Sequence, residues 1–173
     1  NLSTLHRYFR LRARMLGVAR LRYYDIYSPL VQGDFKFPYA LGRQLLLEAV
    51  APLGRDYVDA LRSGLDNRWM DLYPRPRKQS GAHVAGAAYD VHPYVLMNFN
   101  DDYESVPTLA HEWGHAMHSY LANRAQPFVT ARYATFIAEI ASTFNEELLL
   151  DWMLKTANSR DERLFYLGNA LEQ

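Results

Sequence analysis

His111-Glu112-Trp113-Gly114-His115 lies inside Ser105–Asn123, and the reading of that stretch decides the fold and the site together. At 100° per residue, Leu109, Trp113, Ala116, Met117 and Tyr120 gather on one side of a helix, while His111, His115 and His118 gather almost opposite. The apolar side has to pack in a core. A solvated opposite side would carry several Lys, Arg, Asp or Glu, yet Glu112 is the one charged residue from Ser105 to Asn123. Both faces therefore read as buried, and the ionisable groups between them need compensating partners. Histidines four residues apart place their imidazoles one above the other, close enough to share a zinc ion at about 2.0–2.1 Å. The competing reading is a pair of core histidines bonded to backbone, with Glu112 paired to an arginine. One divalent cation compensates all three groups at once, so zinc is preferred. His118, one turn further on, is left between ligand, substrate contact and core histidine, with a core or supporting role favoured.

A catalytic zinc takes three protein ligands and keeps an open position. The H-E-x-x-H-x-x-G-x-x-H arrangement is excluded, since His118 stands at the glycine position and Leu121 at the last histidine. The third ligand must come from another element. Phe136 to Glu147 reads as a buried helix on which Glu139, Ser142, Thr143 and Glu146 fall at i, i+3, i+4 and i+7, a polar stripe in an apolar helix. The Gln126-Pro127 loop lets the chain double back, so this helix can run antiparallel to the histidine helix and present Glu139 to the metal. Glu146, two turns on, would accept the free N–H of a ligand histidine, or else be solvated like Glu147.

Upstream, the elements are structural. Residues 3–18 form an amphipathic helix, with Leu5, Phe9, Leu11 and Leu16 on one face and Arg7, Arg10 and Arg14 on another. Six arginines and no acid precede Asp25, a patch read as a solvated face pairing with acids elsewhere. Tyr39–Val50 and the stretch opened by Pro52 follow as core-facing helices. Leu72–Gly81, with two prolines, three cations and a glycine, reads as an exposed loop. Ala82–Tyr89 and Tyr94–Phe99 read as a short hairpin, whose strand near Val95–Asn98 either receives substrate backbone along a free edge or simply packs. Helices are expected over about 105–123, 133–157 and 160–173.

Composition narrows the function. Nineteen Lys+Arg balance nineteen Asp+Glu in 173 residues, which argues against a nucleic-acid coat. With no cysteine, thiol nucleophiles, disulfides and Cys-ligated zinc are excluded. No apolar run is long enough to span a bilayer, and the cytoplasm is the expected compartment.

Tyr94-Val95-Leu96-Met97-Asn98-Phe99, Thr108 through His118, and Ala138 through Glu146 together resemble the zinc oligopeptidases of the oligoendopeptidase F and thimet type. Leu53-Gly54-Arg55-Asp56-Tyr57 and the Gly81-Ala82 step favour the oligoendopeptidase F side. The resemblance implies a mainly α, zincin-like catalytic domain fragment with one short β-hairpin, its 173 residues a single domain within a longer metallopeptidase. It implies one zinc on His111, His115 and Glu139, Glu112 as base, and hydrolysis of internal bonds in short peptides, with no nucleic-acid or membrane partner. Family members also carry a later segment of histidine and tyrosines that binds substrate and stabilises the transition state, expected to lie past Gln173. Tyr89, Tyr94 and Tyr166 are read as packing residues, not substitutes for it. Two other readings stand beside this one: an inert zinc-binding fragment, and a metal-free helical interaction module.

Overall fold

The computed structural model describes residues 2–31, 33 and 35–172. They are mainly helical, with one small sheet. The chain divides into two compact units, Asn1–Asp34 with Ala157–Gln173, and Phe35–Thr156.

The first unit holds α1 (Leu2–Met15), a 3₁₀ turn (Tyr23–Tyr27) and α6 (Arg160–Ala170). Helix α6 begins where Ser159 accepts the Glu162 N–H at 3.1 Å and the Glu162 carboxylate accepts the Asn158 N–H at 2.7 Å, so the two side chains satisfy one donor of the first turn and one just before it. The amphipathic reading of α1 is met in an inverted way. Leu5 and Leu11 are exposed, and the fully buried side chain is Arg12. Its guanidinium donates to the carbonyls of Asp25 and Ser28, to the Tyr8 hydroxyl and to Glu172, so every direction of the planar fork finds an acceptor. One of the six N-terminal arginines thus pairs with an acid far along the chain, as the patch was read.

The second unit holds α2 (Tyr39–Ala49), α3 (Arg55–Asp66), β1 (Met70–Asp71), β2 (His83–Ala85), β3 (Tyr94–Leu96), α4 (Ser105–Ala125) and α5 (Thr135–Thr156). At the start of α4 the Asp102 carboxylate accepts both the backbone N–H (2.9 Å) and the hydroxyl (2.6 Å) of Ser105. Trp113, Leu109, Val106 and Met117 of α4 meet Leu46, Leu61, Val95 and Phe99 in one core, all essentially unexposed. Trp113 stacks on Trp69, and Gly64 of α3 leaves room for it, because a Cβ there would come within 2.7 Å of the indole.

The expected hairpin exists, with Val84 opposite Val95, but it is part of a three-stranded sheet in the order β1-β3-β2. Strand β1 pairs parallel with β3, Met70 opposite Val95. The proposed free edge at Val95–Asn98 is therefore corrected: β3 is hydrogen-bonded on both sides, and the described strands with an open side are β1 and β2. The exposed-loop reading of Leu72–Gly81 is corrected at one residue. The side chain of Lys78 is 2% exposed, and its ammonium donates to the carbonyls of Asp71 (2.9 Å), Tyr73 (2.8 Å) and Met97 (2.5 Å) while pairing with the Asp71 carboxylate. Three donors meet three carbonyls, which is what makes a buried lysine tolerable. No helix among the described residues is long and apolar enough to cross a membrane.

Candidate metal centre

The site is built where α4 and α5 come closest. Ala110 faces Asn145, Gly114 faces Ser142, and both pairs run in opposite sequence order, so the helices are antiparallel. Gly114 sets the approach: a Cβ on it would stand 2.6 Å from the Ser142 Cα and 2.7 Å from the Ala141 carbonyl oxygen, both backbone atoms that cannot swing away. The buried amide of Asn145 locks the register by donating to the Ala110 carbonyl at 3.1 Å, and Tyr57 of α3 donates to the same side chain at 3.3 Å. Gly114→Val should force the helices apart and lower the melting temperature by roughly 5–15 °C. An unchanged melting curve would show that the pair is not packed this tightly.

That approach brings the two stripes together. The Nε2 atoms of His111 and His115 lie 3.1 Å apart, and Glu139 Oε2 lies 3.5 Å from each. Three ligands at about 2.0–2.1 Å from a tetrahedral ion stand roughly 3.3 Å from one another, so the spacing fits one small divalent cation. The donor chemistry fits as well. His111 Nδ1 lies 2.5 Å from Glu146 Oε1; with the proton on Nδ1, the imidazole donates to that carboxylate and leaves the Nε2 lone pair free to face His115 and Glu139. The Ser142 hydroxyl donates to Glu139 Oε2 at 2.9 Å, fixing the carboxylate from one turn away. Within the polar stripe of α5, the i+3 spacing of Ser142 from Glu139 is the sequence signal for this contact.

Glu112 is buried, and its Oε2 has no hydrogen-bond partner among the described residues. Burial pushes its carboxyl up to about 6, His111 opposing and the Glu139 and Glu146 charges reinforcing the shift. The hydrogen bond to Glu146 raises His111, whereas burial and the neighbouring His111 lower His115. The histidine face is half-buried, not buried as the wheel suggested, because it opens on a cavity of about 540 Å³. His111, Glu112, His115 and Glu139 line one part of it, and the Ala82–Ala87 segment another.

His118 is not brought to the three donors. Its ring stacks on Tyr133, with centroids 3.8 Å apart and planes 14° from parallel. The Tyr133 hydroxyl shares a 2.6 Å hydrogen bond with Ser119, so the loop entering α5 is pinned to the helix carrying the histidines. Glu147 is exposed, as read. The first half of α5 is not buried: Phe136, Ile137, Ile140 and Phe144 are exposed, because the side turned from α4 has no covering element among the described residues of its unit.

The family model described as Peptidase family M3 matches residues 1–172. Oligopeptidase PepF of Bacillus subtilis (strain 168) is 40% identical over 173 residues, covering 99% of this chain and 26% of that protein. An oligoendopeptidase F homolog of Lactococcus lactis subsp. lactis (strain IL1403) is 38% identical over 172 residues, again 99% of this chain and 28% of that protein. The chain thus spans about a quarter of the length of the curated relatives it matches. A crystal structure from Chlamydophila abortus superposes with a TM-score of 0.83 at 42% identity, over 98% of this chain and 28% of that one. Oligoendopeptidase-F from Enterococcus faecium superposes with a TM-score of 0.57 at 28% identity, over 99% of this chain and 22% of that one. With the family model matching nearly end to end and these identities behind it, the chain belongs to Peptidase family M3.

Proposed function

We propose that these residues are the zinc-holding part of a longer metalloendopeptidase catalytic domain that hydrolyses internal bonds of short peptides, with the cytoplasm as its compartment. The observation that carries the reading is the convergence of three donor atoms, on His111, His115 and Glu139, within 3.5 Å of one another beside a buried, unpartnered Glu112 carboxylate. Zinc held there would lower the pKa of a water towards about 7 and polarise the scissile carbonyl. Glu112 takes a proton from the attacking water and passes it to the departing amine, a role its elevated pKa suits. Glu146 and Ser142 orient His111 and Glu139. The substrate backbone adds along the open side of β2, whose residues His83 and Val84 line the same cavity.

A second reading has its own support: that the 173 residues alone hold metal but turn over slowly. The two tyrosines lining the cavity are already engaged, Tyr89 donating to the Gln126 carbonyl at 2.6 Å and Tyr133 bonded to Ser119. Neither is free to stabilise charge on the attacked carbonyl, and losing one such donor typically costs about 10²–10³ in rate. Metal analysis of the purified chain alongside cleavage of a quenched fluorescent peptide tests both readings. About one equivalent of zinc is expected, with turnover far below that of a longer relative. Absence of tight zinc overturns the proposal, and cleavage as fast as the longer relative overturns the slow-fragment reading.

A further inference from the structure

The lining of the cavity beside the candidate metal centre holds one cationic residue that the proposed chemistry leaves unused. Among its lining residues, Glu112 and Glu139 are the acids, and both already have roles toward water and metal. Arg132 is the one arginine or lysine in that lining. Its side chain is exposed, and it forms no ion pair or hydrogen bond with any described residue. Its neighbours in sequence are held. Ala131 is buried, and Tyr133 is clasped between the His118 ring and the Ser119 hydroxyl. The guanidinium therefore hangs from a backbone that α4 fixes in place. In the same lining Tyr89 meets Phe128 edge to face at 5.5 Å, and Tyr89 is tied to Gln126, so a pinned aromatic pair also bounds the cavity.

A guanidinium with five N–H donors and no acceptor among the described residues is suited to a planar carboxylate, which it grips through two parallel hydrogen bonds. We propose that Arg132 is a specificity-determining residue that binds a carboxylate of the peptide lying in this cavity. That carboxylate is either the free C-terminus or an acidic side chain of the peptide. The proposal rests on the peptidase reading above. It gives that reading a further property, because a cation rooted in a held backbone beside the cavity favours peptides that place a carboxylate within its reach, and a free terminus does so only when the peptide is short.

The test measures binding, so that slow turnover does not obscure it. In the zinc-loaded chain carrying Glu112→Gln, which removes cleavage, fluorescence anisotropy is read with three labelled seven-residue peptides. One is a free acid, the second is its C-terminal amide, and the third is that amide with an internal glutamate replacing glutamine. A carboxylate should tighten binding roughly 5- to 50-fold over the plain amide. Preference for the free acid identifies the terminus as the source, and preference for the glutamate peptide identifies the side chain. Arg132→Ala should erase the preference while leaving the plain amide bound as before, and Arg132→Lys should restore part of it. Discrimination that survives in Arg132→Ala overturns the assignment. Equal binding of all three peptides, or binding of none, overturns it while the peptidase reading, which zinc content and turnover test separately, stands.

Discussion

Glu112→Gln in a longer, active chain carrying these residues should cut peptide turnover by about 10²–10⁴ while leaving the zinc content at one equivalent. The substitution keeps the side chain's shape, so the core around Trp113 and Gly114 is undisturbed. What is lost is the carboxylate that receives the proton, at a position where Oε2 has no other partner. The pH profile adds a second check with a defined sign. The base is competent only when ionised, and burial holds its carboxyl up at about 6. A cation bound beside it pulls that value back down, so the acid limb of the rate profile should fall at or below about pH 6 in the parent. A Glu112→Gln chain that cleaved peptides at near-normal rate would remove Glu112 from the mechanism.

The second large effect concerns the metal itself. His115→Ala deletes one of three donor atoms and should weaken zinc binding by more than the 10- to 100-fold that follows loss of an outer partner. Glu146→Gln, which leaves all three donors and alters only the acceptor of the His111 N–H, should fall inside that 10- to 100-fold range. The ranking discriminates, because a site where both histidines merely pack would show no difference in zinc affinity between the two variants. Competition with a chromogenic chelator reads both numbers. Stoichiometric, tight zinc retained by His115→Ala would sink the ligand assignment.

The histidine helix and the Glu139 helix were legible because their information is local. Spacing of three and four residues puts side chains on one face whatever the rest of the chain does, and a single charged residue, Glu112, along Ser105–Asn123 marks a helix that packs on several sides. Their antiparallel pairing followed from a short connection. Other features were hidden for a different reason. Strand β1 has two residues, and its partner β3 lies more than twenty positions away, so no periodicity announces it. Without β1, the hairpin looked as though β3 had an open side. Apolar spacing on α5 correctly located a hydrophobic face, but spacing cannot say what covers it, and Phe136, Ile140 and Phe144 lie exposed. Arg12 and Lys78 were misplaced by their charge, since residue type predicts a preference for water and not the carbonyls that folding gathers around one cation.

The enclosure of Lys78 makes the protein its own gauge of integrity. The sequence contains three lysines, Lys36, Lys78 and Lys155, and the other two are exposed. An amine-acylating reagent needs the nitrogen's lone pair, which at Lys78 appears only after its proton is surrendered and three carbonyl contacts are released together. Lys36 and Lys155, being exposed, acylate in the folded protein, while Lys78 acylates only in molecules where the sheet and the 72–81 segment have come apart. In any preparation of this chain, the fraction of Lys78 that has reacted counts the molecules that opened.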